Sequence, residues 1–170
     1  MHLRGPGLLM AEESRLEPKL PPFLRRLLHR YWRFSRGMTL GVRAAVLDDA
    51  GRVFLVRHTY VPGWHLPGGG VEPGETGLDA LVRELREEAC IELAAAPRLH
   101  GVYLNRHASD RDHVFLYVVR EFRVAAAKDR DREIAEAGFF ALDALPDGVT
   151  AGTAARLEEI GRGGAPSAVW

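Results

Sequence analysis

The sequence predicts a mixed α/β sandwich. Strand-like alternation recurs in short segments from residue 39 onward, and one strongly periodic helix interrupts them after residue 76. No internal repeat is visible, so the strands are expected to flank that helix rather than build stacked units.

Taken in order, residues 1–20 lack periodicity, are punctuated by Gly5, Pro6, Gly7 and Pro18, and are expected to be disordered. Residues 21–37 are a basic amphipathic helical extension: Leu24, Leu27, Leu28, Tyr31 and Trp32 follow helical spacing among six basic residues and no acid. That apolar stripe is expected to dock on its own domain or on a second subunit, which leaves a homodimer open; a membrane-surface or nucleic-acid contact is the alternative. Residues 39–47 alternate, with Val42, Ala44 and Val46 on one face, and Asp48 to Gly51 supply a turn into residues 52–57. The two segments read as a strand pair. Trp64 to Leu66 is a short strand that delivers the run Pro67-Gly68-Gly69-Gly70.

From Thr76 a helix is expected because Leu78, Leu81, Val82, Leu85 and Ala89 recur at three- and four-residue steps without a proline. Residues 99–105 and 113–124 then read as two strands, joined by the polar loop 106–112. Residues 125–133 look like a flexible loop, and residues 138–142 like a last strand. Thr153 is placed to cap a closing helix with Ala154, Leu157 and Ile160 on its apolar side, ending near Gly161. Residues 163–170 read as a loose tail, leaving 38–162 as the folded domain. A chain of 170 residues suffices for one such domain plus extensions.

Composition excludes several classes. Lys+Arg and Asp+Glu are both 23, so net charge gives no bulk attraction to nucleic acid or membrane. No stable partner of either kind is expected. Cys90 is the single cysteine, which excludes an internal disulfide and makes a reducing, cytoplasmic compartment the natural one. No apolar run has the length of a membrane-spanning or signal segment.

The chemistry concentrates in residues 69–91, GGVEPGETGLDALVRELREEACI. At about 100° per residue, Glu84 and Glu88 lie about 40° apart and Glu87 about 60° to the other side of Glu84, so three carboxylates share one flank. Only Arg83, one turn before Glu87, offsets them. Such a flank is either a solvated acidic face or a site for a hard divalent cation, and oxygen ligands suit Mg²⁺ or Mn²⁺ better than zinc. The glycine run favours the second reading, because bare backbone can approach an ion or a phosphate closely.

This spacing resembles the Nudix box. Gly69, Glu75, Arg83, Glu84, Leu85, Glu87, Glu88 and Ile91 fall on its positions, and Cys90 stands where the family has its last glycine. The resemblance covers roughly residues 38–160 and implies a Nudix-type α/β/α sandwich with a mixed β-sheet. It implies metal-dependent hydrolysis of a pyrophosphate bond in a nucleoside triphosphate, or in a nucleoside diphosphate linked to another group. A catalytically silent nucleotide-binding domain and the 5′-end of RNA are the alternatives. The resemblance casts Glu87 and Glu88 as metal ligands, Glu84 as ligand or general base, the Gly68 carbonyl as a further ligand, and Arg83 with Glu75 as an orienting ion pair. Arg43 and Arg57 are candidates for phosphate, and Glu133 or Glu136 for one more carboxylate at the metal. The five histidines at 58, 65, 100, 107 and 113 have no common metal spacing and read as structural or exposed; Trp64 and Tyr103 read as core, with stacking on a base as the alternative. No proline marks the downstream position typical of ADP-ribose hydrolases of the family; Asn105, Arg106 and His107 stand there.

Overall fold

A computed structural model describes residues 21, 23, 24, 26, 27, 31 and 37–170. The chain divides into two units, Met1–Gly37 and Met38–Trp170. In the first, Phe23, Leu24, Arg26, Leu27 and Tyr31 are helical. The rest of the expected amphipathic helix, and the disorder expected for residues 1–20, lie outside the described residues.

The second unit contains, in chain order, β1 (Thr39–Val46), β2 (Arg52–His58), β3 (Trp64–His65), α1 (Gly77–Ala89), β4 (Ile91–Leu93), β5 (Arg98–Leu104), β6 (Asp112–Val119), β7 (Phe122–Val124), β8 (Ile134–Ala141) and α2 (Ala151–Arg162). One sheet is ordered β1-β6-β5, with β1 parallel to β6 and β5 antiparallel to it. A second is ordered β3-β2-β8 and is antiparallel. β4 and β7 form a separate antiparallel pair. This is the mixed sheet arrangement the sequence predicts.

Both faces of the central strands are buried, which is why their apolar runs are nearly continuous. Val42, Ala44 and Val46 of β1 and Phe54 and Val56 of β2 point to α1, where they meet Leu81, Leu85 and Ala89. Ala45, Val53 and Leu55 point the other way, into a second cluster with Trp64, Tyr103 and Leu157 of α2. Trp64 and Tyr103 are core residues, as their apolar bulk implies.

Helix α1 starts where a capping box satisfies its first amides: the Thr76 hydroxyl accepts from the Asp79 N–H at 3.1 Å, and the Asp79 carboxylate accepts from the Thr76 N–H at 3.0 Å. It ends at Cys90, whose φ of 53° and ψ of 35° are left-handed. That is the conformation the family glycine would adopt freely.

Five expectations are corrected. β1 and β2 do not pair along their length; the chain is joined there only around the turn, at the Leu47–Val53 bridge and the Asp48 N–H to Arg52 O bond (3.0 Å), because one edge of β1 is taken by β6 and the other by the glycine run (Val42 N–H to Gly69 O, 2.9 Å; Ala44 N–H to Pro67 O, 2.9 Å). The expected strand at 113–124 breaks at Arg120 and Glu121, where the chain leaves β6 and pairs as β7 with β4, an element too short to have shown a pattern. β8 begins at Ile134, earlier than expected, under the pull of its register with β2. Helix α2 is capped by Thr150, whose hydroxyl accepts from the Thr153 N–H at 3.3 Å, while Thr153 is buried inside the first turn. The tail is not loose. Leu104 donates to Ala168 O (2.9 Å) and accepts from the Trp170 N–H (3.1 Å), so the last residues extend the β5 edge.

Candidate active site

The glycine run is stitched to β1 on one side and faces α1 on the other. Gly68 has a φ of 141°, and a Cβ there would lie 2.1 Å from Val42 O, so only glycine fits. At Gly69 a Cβ would lie 2.3 Å from Glu84 Oε1, so its absence lets that carboxylate reach the loop.

Arg83 is the hub of the box. Its Nε and NH2 donate to the two oxygens of Glu75 at 2.9 and 3.0 Å, NH1 donates to Glu84 Oε1 at 2.7 Å, and NH2 also donates to Gly70 O at 2.9 Å. The bidentate Arg83 bond, helped by the Glu72 N–H, holds the Glu75 carboxyl far below its ordinary range, at about 2. Glu87 is exposed, 3.6 Å from Arg83. Glu88 is 6% exposed and accepts from the Gly68 N–H at 2.7 Å. Burial pushes its carboxyl up to about 7; the Gly68 N–H and Arg43 pull it down, and the charges of Glu84 and Glu133 push it further up.

The candidate substrate residues separate. Arg43 lines the cleft, where its NH1 donates to the carbonyls of Leu66 (3.0 Å) and Gly68. The Gly68 carbonyl expected at the metal therefore already has one donor, and a carbonyl oxygen keeps a second lone pair. Arg57 and Glu136 face each other across β2 and β8 and form a 2.6 Å ion pair, Arg57 lying over the Trp64 ring. They neutralise one another on the strands. Glu133 precedes β8 and is near enough for its charge to act on Glu88. Of the two acids, only Glu133 has a charge that bears on Glu88, while Glu136 is paired with Arg57.

Two contributors were missed from sequence. Lys128 Nζ donates to the Glu87 carbonyl at 2.7 Å and to Asp131 at 2.5 Å, and Asp131 in turn accepts from the N–H groups of Glu133 and Ile134 at 2.8 and 2.7 Å. The loop expected to be flexible is thus clasped to the end of α1, with Glu133 held beside the acidic flank. The only signal was that Lys128 is one of two lysines in an arginine-rich chain. His58 is buried, with Nε2 3.6 Å from Glu88 Oε1. Nothing in its spacing announced that.

Among the described residues, no three His, Cys, Asp or Glu groups already close on one point as a metal cage would. Glu84 and Glu88 are turned to protein donors and Glu87 to solvent. The donor set is nevertheless all oxygen, and one carboxyl is pushed up chiefly by its burial, with the charges of Glu84 and Glu133 adding to it, an environment a hard divalent cation relieves. Beside this flank opens a cleft of about 1290 Å³, bordered by β1, the glycine run, the 105–112 loop and the start of α2.

The family model for the NUDIX domain matches residues 37–160. The chain belongs to the Nudix family. Among curated Nudix relatives, the RNA pyrophosphohydrolase of Halorhodospira halophila is 48% identical over 54 residues, 32% of this chain and 30% of that protein. The 8-oxo-dGDP phosphatase of Mus musculus is 37% identical over 132 residues, 76% of this chain and 40% of that protein. The chain spans about a third to a half of the length of the curated relatives it matches. A solved MutT Nudix hydrolase from Burkholderia pseudomallei superposes with a TM-score of 0.62 at 29% identity, over 72% of this chain and 97% of that one.

Proposed function

We propose that this Nudix protein hydrolyses a pyrophosphate bond in a nucleoside triphosphate, or in a nucleoside diphosphate linked to another group, with Mg²⁺ or Mn²⁺. The observation that carries the reading is the complete charged set of the box around a bare glycine loop, with Glu88 buried at its base. A silent binding domain has no need of a fully retained carboxylate flank.

Glu87, Glu88, Glu84 and the Gly68 carbonyl would hold the cation, with Glu133 as a further carboxylate. When bound, the cation neutralises charge on the phosphates and acidifies water. The remaining work falls to the chain. Glu75 fixes Arg83 from two sides, and Arg83 in turn fixes Glu84 through Oε1, so this carboxylate, as ligand or as general base, cannot rotate freely. The Gly68 N–H orients Glu88. Arg43 holds the Leu66 and Gly68 carbonyls, which keeps the loop against β1.

The likeness to an RNA pyrophosphohydrolase favours a second substrate, the 5′-triphosphate of RNA, whose scissile bonds are chemically the same. One panel tests both: nucleoside triphosphates including 8-oxo-dGTP, sugar- and nucleoside-linked diphosphates, and a 5′-triphosphorylated oligoribonucleotide, each with and without Mg²⁺, read by phosphate or pyrophosphate release. Metal-dependent release from at least one member is expected. Binding without release across the whole panel contradicts the reading.

A further inference from the structure

The cleft beside the box is lined by the glycine run and Glu75, where the proposed phosphate chemistry lies, and also by Thr150 to Thr153 at the start of α2 and by Trp170. Trp170 is the only Phe, Tyr or Trp among the described residues that line the cleft. It comes from the tail that the sequence alone would have left loose.

The seat for this residue is built from several elements. Leu104 brackets it with two main-chain bonds, to Ala168 and from Trp170. Arg156, 6% exposed, donates to Val169 O at 2.7 Å, with its guanidinium carbon 4.5 Å from the Tyr103 ring centre and 5.8 Å from that of Trp170. Tyr103 meets the indole edge-on at 5.6 Å. Gly152 completes the seat, since a Cβ there would lie 2.4 Å from Trp170 Nε1. Burying an arginine is costly unless its partners are well placed, and here one of its partners is the carbonyl just before Trp170. The seat holds the indole while leaving it partly exposed at the cleft wall, unlike Trp64, which is enclosed.

We infer that Trp170 is the base-stacking platform of the cleft: the nucleobase lies against the indole while its phosphates reach the glycine run. A rigid aromatic wall is the surface on which any base can stack, and no other described aromatic ring of that size borders this space. The inference rests on the nucleotide reading of the site, and it assigns to the tail the half of the substrate that the box does not touch. Trp170 acts here in binding, with no part in the bond-breaking step.

The test uses the full chain and calorimetric titration with Mg²⁺ and a methylene-bridged, non-hydrolysable GTP, with inorganic tripolyphosphate as a probe that has no base. Trp170→Ala and Gly152→Ala, the second unseating the ring without removing it, are expected to weaken the GTP analogue roughly 5- to 150-fold, the range of one lost base–aromatic stack. Trp170→Phe, which keeps a stacking ring, is expected to stay within about threefold of wild type. Tripolyphosphate affinity is expected to be unchanged in all three. Wild-type affinity for the analogue in Trp170→Ala or Gly152→Ala overturns the inference, and so does a parallel loss of tripolyphosphate, which marks the tail as a structural strap. If Trp170→Ala does not fold, Gly152→Ala and Trp170→Phe still decide it. Should wild type bind the analogue through Trp170 yet hydrolyse no nucleotide, the hydrolysis reading fails and the stacking site stands; absent binding of the analogue to wild type overturns the site as well.

Discussion

Cys90 is the one place where the box departs from its family, and its backbone lets the cost of the departure be worked out. Its φ of 53° and ψ of 35° put a side chain in a conformation that costs a Cβ-bearing residue roughly 1–2 kcal/mol. Glycine escapes that strain but gives up roughly 0.5–1 kcal/mol more backbone freedom on folding. The thiol is half-buried, so comparing Cys90→Gly with Cys90→Ala removes its packing from both sides and isolates the backbone. Cys90→Gly is therefore expected to be more stable than Cys90→Ala by about 1 kcal/mol, or about 2–4 °C in melting temperature for a domain of this size. Cys90→Val should fall below both, because a β-branched residue is worst in the left-handed region. Differential scanning calorimetry in the presence of a chelator reads the order directly. All three variants should keep their Mg²⁺-dependent turnover, since water and not a thiol is the proposed nucleophile. An alanine variant as stable as the glycine variant refutes the strain argument, and complete inactivation of folded Cys90→Gly refutes the structural role.

Three further outcomes are expected. Because the Glu75 carboxyl is held at about 2 in the folded chain against an ordinary 4.5, its pair with Arg83 contributes stability above about pH 4.5 and loses it as pH falls through about 2; Glu75→Gln should melt lower than wild type at pH 7, with the gap closing in melts toward pH 2. Lys128→Ala should raise the Mg²⁺ concentration needed for half-maximal turnover by roughly 10- to 100-fold, as loss of a supporting partner of a metal ligand does, while Lys128→Arg restores most of it. Arg43→Ala, which strips the Leu66 and Gly68 carbonyls of a donor and Glu88 of a neighbouring cation, should cost on the order of 3 kcal/mol in denaturant unfolding, far beyond the effect of losing a surface phosphate contact.

What the sequence disclosed followed from periodicity and spacing. The box helix was legible to within a residue because its apolar steps are unbroken and Thr76 with Asp79 forms a local cap. The left-handed turn at Cys90 was legible from the family glycine it replaces. Pairing was not: β1 and β2 adjoin in sequence with a good turn between them, yet the glycine run competes for the β1 edge, and that competition is invisible in a local pattern. Long-range partners were hidden for the same reason. Nothing local ties Lys128 to Glu87 forty-one residues earlier, or the tail to Leu104 and Arg156, and an arginine such as Arg43 carries no mark that separates a loop-holding role from a phosphate-binding one.

The central claim is that the box carboxylates hold a catalytic cation, and Glu88→Gln tests it most directly because Gln keeps the shape and the Gly68 contact while removing the charge. Turnover of the best substrate is measured across a Mg²⁺ titration, alongside melting temperature in chelator. The account predicts turnover lower by at least about a hundredfold even at saturating Mg²⁺, in a protein whose metal-free stability holds or rises because a buried charge has been removed. Near-normal turnover of Glu88→Gln at saturating Mg²⁺ contradicts it.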